Sequence, residues 1–121
     1  MRENLCVFDH VTIRVADFEA SKRFYSTVLA PLGVPVHEDE GFAEWGDFSI
    51  VVDDQPVSRN VHVAFAAKDN ATVDAFWRAG TDAGYTSNGA PGERPQYHPG
   101  YYAGYLLDPD GNNVEAVCHN R

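Results

Sequence analysis

His10, His62 and Glu115 combine metal-ligating side chains with positions in strand-like runs, where together they could hold a divalent metal. His62 interrupts the apolar run "RNVHVAFAAKD" (Arg59 to Asp69), in which Val61, Val63 and Phe65 alternate as one face of a strand. His10 opens a similar run: Val11, Ile13 and Val15 share one face, and His10, Thr12 and Arg14 the other. Glu115 stands between Val114 and Ala116 in "NNVEAV". A carboxylate buried unpaired in such a strand costs several kcal/mol, so it needs a cation. Two neutral imidazoles and one carboxylate match a facial triad with open positions, suited to Fe(II), Mn(II), Zn(II) or a similar ion.

The elements that must position these groups come from a weak internal repeat. "DHVTIRVADFEASKRFY" from Asp9 aligns with "VHVAFAAKDNATVDAFW" from Val61, setting His10 on His62, Asp17 on Asp69 and Phe24 on Phe76. Each half reads as a strand, an aspartate and a helix. Asp17 and Asp69 are expected N-caps. Ala20, Phe24, Val28, Leu29 and Leu32 keep a helical stripe in the first half, and Val73, Phe76, Trp77, Gly80 and Ala83 in the second. Gly33 and Gly84 are the expected stops.

Short strands follow each helix: "VPVHED", "FAEWG" and "FSIVVDD", then "YTSN", "YYAGYLL" and "NNVEAVC". "DPDGN" (Asp108 to Asn112) predicts a hairpin between the last two. "DDQPVSRN" (Asp53 to Asn60) is the expected linker, and "SNGAPGERPQYHPG" (Ser87 to Gly100) reads as a long mobile loop beside a site. The bulky apolar face of each first strand packs on the helices, which leaves both histidines on the opposite face. A lone strand histidine is more often a satisfied core residue. Two at matching repeat positions on the open face are harder to explain that way.

Composition narrows the partners. The 121 residues suit one domain with its own core. The net charge of −9 disfavours nucleic acid and anionic membrane surfaces, and its plainest consequence is solubility. No apolar run approaches a membrane span. The start "MRENLCVFDHV" has no signal-peptide core, so a cytoplasmic location is expected. Cys6 and Cys118 have no metal-type spacing and read as buried free thiols.

On "FDHVTIRVADFEASKRFYSTVLAPLG", "VHVAFAA" and "YYAGYLLDPDGNNVEAV" the chain resembles the vicinal oxygen chelate superfamily, which includes glyoxalase I, extradiol dioxygenases and bleomycin- and fosfomycin-resistance proteins. The resemblance covers nearly the whole chain. It implies an α+β fold of two βαβββ modules forming a cup-shaped mixed sheet with the helices outside. The chain, 1–121, would be one glyoxalase-like domain, with module one about 1–54 and module two about 60–121. It further implies one divalent ion (Zn, Fe, Mn or Ni) on His10, His62 and Glu115, a small-molecule substrate, and a homodimer in which modules are exchanged or a cup closed within one chain.

Departures from the family pattern narrow the chemistry. Glyoxalase I takes a fourth ligand, a Glu, from the fourth strand; the expected equivalent here, Ile50 or Val51, cannot bind metal. The three-ligand set looks more like the dioxygenases, whose active-site tyrosine falls on Tyr105. His98 is the candidate for their catalytic histidine. Tyr101, Trp45, Arg14 and Phe8 are expected to shape the pocket, while His37 and His119 read as surface residues. The function implied is a metal-dependent isomerase, lyase or extradiol-type dioxygenase. The alternatives are a non-catalytic small-molecule binder of the bleomycin-resistance type and a purely structural metal site.

Overall fold

The computed structural model describes residues 7–121, so Cys6 lies outside the described residues. The order of elements is β1 (Val11–Arg14), α1 (Phe18–Leu29), β2 (Val36–Asp39), β3 (Phe42–Trp45) and β4 (Phe48–Val51), then β5 (His62–Ala66), α2 (Asn70–Asp82), β6 (Ser87–Glu93), β7 (Tyr102–Leu107) and β8 (Asn113–Cys118). This is the expected α+β arrangement of two βαβββ modules.

The helices begin where the aspartates predict. Asp17 accepts from the Ala20 N–H at 3.1 Å. Asp69 accepts from the Thr72 N–H at 2.8 Å and its hydroxyl at 2.6 Å, which holds the Asp69 carboxyl below its usual range. A short 3₁₀ turn, Ala30–Leu32, extends α1 and ends on Gly33, whose φ of 78° favours glycine.

Two four-stranded sheets result, ordered β1-β4-β3-β2 and β5-β8-β7-β6. In each, the first and last strands of the module pair in parallel, and the remaining pairs are antiparallel. β1 and β5 are therefore end strands, with their outer edges unpaired by any described strand. The outer edge of β1 is covered at one point, where Ser58 bonds the backbone of Arg14.

One apolar core joins the two halves. Phe24, Tyr25, Val28 and Leu29 of α1 meet Val73 and Phe76 of α2, with Ile13, Ile50, Leu106 and Val114 from the sheets. Gly80 permits this approach: a Cβ there would lie 2.4 Å from Leu106 Cδ1 and 3.2 Å from Val28 Cγ1. The "DPDGN" hairpin locks the halves together through a buried polar knot. Asp108 accepts from the Tyr25 hydroxyl at 2.7 Å and from the N–H groups of Asp110 and Asn112, each at 2.9 Å. Burial and this carboxylate push the Tyr25 phenol well above its ordinary range.

The expected long loop needs correction. Ser87–Glu93 is a strand paired with β7, though with register shifts at its glycines. Gly and Pro in "SNGAPGE" mark an irregular edge strand rather than an unpaired loop. Cys118 is a buried free thiol, as expected.

Candidate metal centre

The second sheet carries a connected polar group on its face away from the helices. β5 and β8 run side by side with Ala64 opposite Glu115, which sets Glu115 beside the neighbouring His62. His62 Nε2 lies 2.6 Å from Glu115 Oε1, and the Tyr101 hydroxyl donates to Glu115 Oε2. The Glu115 side chain is 1% exposed, while that of His62 is 57% exposed. No Lys or Arg bonds Glu115 among the described residues. Tyr105 is the cross-strand partner of Glu115 on β7. Burial first, then Glu115, pushes the Tyr101 and Tyr105 phenols upward, so both keep their protons.

A second group of rings leans on Tyr101. His98 and His119 stack with centroids 5.1 Å apart, and each meets the Tyr101 ring edge-on. His98 Nδ1 donates to the Pro99 carbonyl at 2.8 Å, which leaves its Nε2 to accept from His119 Nδ1 at 2.9 Å. His119 is exposed, as expected of a surface residue, and it also belongs to this cluster. Strand parity carries the signal, because Glu115, Val117 and His119 share a face.

The first sheet presents a different face. His10 is largely exposed and, among the described residues, pairs only with Asp9, at 2.8 Å. Its strand neighbour Thr12 bonds Ser49 Oγ at 2.7 Å. Thr12 pairs with Ser49 as Ala64 pairs with Glu115, so Ser49 is the repeat counterpart of Glu115. The expectation of Ile50 or Val51 at that position is corrected: Ile50 pairs with Ile13 and points into the core. A hydroxyl is a poor divalent-metal ligand beside a carboxylate, so the fourth-strand glutamate is still lacking. Opposite Ser49 stands Glu44 of β3, half-buried and lining the same hollow as His10. Sequence reading passed over Glu44, although its parity opposite Ala43 and Trp45 marks it as facing away from the core.

The remaining candidates fall elsewhere. Trp45 is 3% exposed and packs on Tyr25 and Phe48, because its β3 parity turns it to the helix side. Arg14 is tied to Asp53 at 3.0 Å. Phe8 is exposed and shares with His62 an apolar groove of about 470 Å³ that runs between Val11 and Ile13 of β1 and Val63 and Phe65 of β5. Within one chain, then, His62, Glu115, Tyr101 and Tyr105 come together, and His10 lies on the other sheet. Among the described residues, no three His, Cys, Asp or Glu side chains are grouped to hold a metal.

A family model described as Glyoxalase/Bleomycin resistance protein/Dioxygenase superfamily matches residues 7–116. A solved glyoxalase/bleomycin resistance protein from Albidiferax ferrireducens T118 is 34% identical, with a TM-score of 0.81, over 92% of this chain and 98% of that one. Two others share the fold. Lactoylglutathione lyase from Agrobacterium tumefaciens has 20% identity and a TM-score of 0.68, over 97% of this chain and 96% of that one. A family enzyme from Burkholderia phytofirmans PsJN has 22% identity and a TM-score of 0.68, over 91% and 96%. No protein of curated function matches the sequence. No helix among the described residues is long and apolar enough to cross a membrane.

Proposed function

The chain belongs to the glyoxalase/bleomycin resistance protein/dioxygenase superfamily, and we propose that it is a metal-dependent enzyme acting on a small molecule with two neighbouring oxygens. The observation that carries this reading is Glu115. Its carboxylate is buried, one oxygen faces an imidazole nitrogen, and the other is held by a phenol. Such a group is poorly compensated by a half-exposed imidazole alone, and a divalent cation completes it. Imidazole and carboxylate are the donors that Zn, Fe, Mn or Ni accepts.

His62 and Glu115 would hold the ion, with His10 as the third ligand. His10 reaches them most simply from a second copy, since no described strand pairs with the outer edge of β1 or of β5. A two-fold axis that brings β1 of one copy to β5 of the other does so twice, giving a homodimer with two shared sites. Each chain is then one domain, residues 1–121, that lends a module to each site.

The bound ion would supply Lewis acidity, drawing in two substrate oxygens and stabilising an enolate-type anion. The protein's own groups do the rest. Tyr101 orients Glu115 by donating to its outer oxygen, the role a supporting shell plays around a ligand. Tyr105 keeps its proton and donates it, as a hydrogen bond, to a substrate oxygen beside Glu115. Glu44 is the half-buried carboxylate of the first sheet and the group to accept a substrate proton where β4 has only Ser49. The reaction class is an isomerase, lyase or extradiol-type dioxygenase.

A second reading rests on the apolar groove beside His62, which suits a binder that sequesters a small molecule. Metal analysis decides between the two. Protein purified without added metal is expected to carry a near-stoichiometric divalent ion, and His62→Ala to lose it. A wild type that stays metal-free at micromolar Zn, Mn, Ni and Fe leaves only the binder.

A further inference from the structure

Arg94 lies on the same face as the candidate centre and has no part in the reading above. Its guanidinium carbon sits 5.3 Å from the centroid of the Tyr105 ring, and Tyr105 is the strand partner of Glu115. Nη2 donates to the Ala90 carbonyl at 2.8 Å. The Arg94 N–H donates to the Tyr101 carbonyl at 2.7 Å, which fixes the base of the side chain. Among the described residues no carboxylate lies within ion-pair distance of it.

The strand beneath is cleared for this side chain. A Cβ on Gly92 would stand 3.1 Å from Arg94 Nη1. One on Gly89 would stand 3.5 Å from Arg94 Nη2 and 3.0 Å from Tyr105 Cδ1. The glycines of "SNGAPGER" thus let the arginine fold back across β6 and lie on the phenol ring. The guanidinium is held over the Tyr105 ring, by a carbonyl and by its own backbone, and among the described residues most of its N–H donors are unused. A planar fork presented this way matches a planar carboxylate.

We infer that Arg94 binds a carboxylate of the substrate, at a point beyond the two oxygens that the metal takes, so that the substrate class is a carboxylic acid bearing vicinal oxygens. This rests on the metal-chelating reading given above. A single guanidinium on a chain of net charge −9 favours a singly charged carboxylate over a phosphate.

Two probes differ in this one group: catechol, and 3,4-dihydroxybenzoate, which adds a carboxylate to the same pair of vicinal oxygens. Each is titrated by calorimetry into zinc-loaded wild type, Arg94→Gln and Arg94→Lys. The wild type is expected to bind the carboxylated probe roughly tenfold or more tightly than catechol, the worth of a charge-assisted pair. In Arg94→Gln that ratio falls to about one; Arg94→Lys keeps charge without the fork and recovers part of it. If catechol binds and the wild-type ratio is near one, or if Arg94→Gln keeps the preference, the assignment of Arg94 is overturned while chelation stands. If zinc is held and neither probe binds, the chelating reading fails and this inference with it.

Discussion

The two sheets place a histidine at the same repeat position, yet His10 and His62 live in different surroundings. His62 faces a buried carboxylate that a phenol already orients, while His10 faces water and a surface aspartate. Beyond His62 lie Tyr105 and Arg94; beyond His10 lie a Thr–Ser hydroxyl pair and Glu44. A duplicated module need not duplicate its chemistry. On the proposed reading, the second sheet carries a preorganised half-site, and the first offers one ligand and a carboxylate that gain meaning only when set against it.

The sharpest break in that asymmetry is Glu115→Ala. It removes the only carboxylate of the proposed ligand set and leaves the Tyr101 hydroxyl without its acceptor. Loss of a supporting group around a metal lowers affinity roughly 10–100-fold, and loss of this ligand is expected to exceed that. Ser49→Ala, the counterpart change in the first sheet, is expected to leave metal affinity unaltered. Zinc titration of the two variants checks the contrast, and equal losses would sink it.

Mixing variants tests whether the halves are shared between copies. His10→Ala and Glu115→Ala homodimers are each expected to lack both sites. A mixed dimer of the two regains one, because the intact first module of one chain meets the intact second module of the other. Recovery of about half the wild-type zinc in the isolated mixed dimer, or about a quarter in the unseparated 1:1 mixture, supports shared sites. No recovery from a mixture that forms mixed dimers means that each chain closes its own cup.

Asp108 and Glu115 sharpen the comparison from the side of stability. Both are buried carboxylates of the closing hairpin, but Asp108 is satisfied within the chain by Tyr25, Asp110 and Asn112. Tyr25→Phe keeps the ring and removes the donor to Asp108 Oδ2, whose remaining contact among the described residues is Asn112 Nδ2 at 3.3 Å. A loss of about 1–3 kcal/mol is expected, read as a lower urea midpoint at unchanged m-value, with zinc affinity intact. An unchanged midpoint would show that Asp108 is solvated after all.

Much of this was legible in the chain because it is local. Asp17 and Asp69 cap helices through their own next turns, and "DPDGN" makes its own hairpin. Face alternation placed His62 and Glu115 correctly because both lie in regular strands. The errors fell where alternation has to be counted across a pairing. Ser49, not Ile50 or Val51, opposes Thr12, and that register is set by β1 meeting β4 and not by either strand alone. Trp45 turns to the helix side and not into the pocket for the same reason, since it stands opposite the buried Phe48 where β3 meets β4. Arg94 and β6 escaped because Gly and Pro look like a loop until β7 pairs with them. The partnership of His98 with His119 joins a loop to the end of β8, and only the folded chain brings them together.

That imidazole pair gives the smallest effect, in the pH dependence of stability. Burial, then Arg121 and His98, lower the His119 pKa from its ordinary value of 6.5. The folded state therefore holds the ring neutral where the unfolded chain already binds a proton. With more protons on the unfolded state, stability rises with pH across this window. It is fully present above about pH 6.5 and erodes as pH falls from there toward the lowered folded value. His119→Gln cannot titrate, so its urea midpoint is expected to fall less than that of the wild type between about pH 8 and about pH 5. The ring is largely exposed, so the difference is small. Parallel curves for the two proteins would mean that the contact of His119 with His98 and Tyr101 has no energetic weight, and that the preorganised half of the site ends at Tyr101.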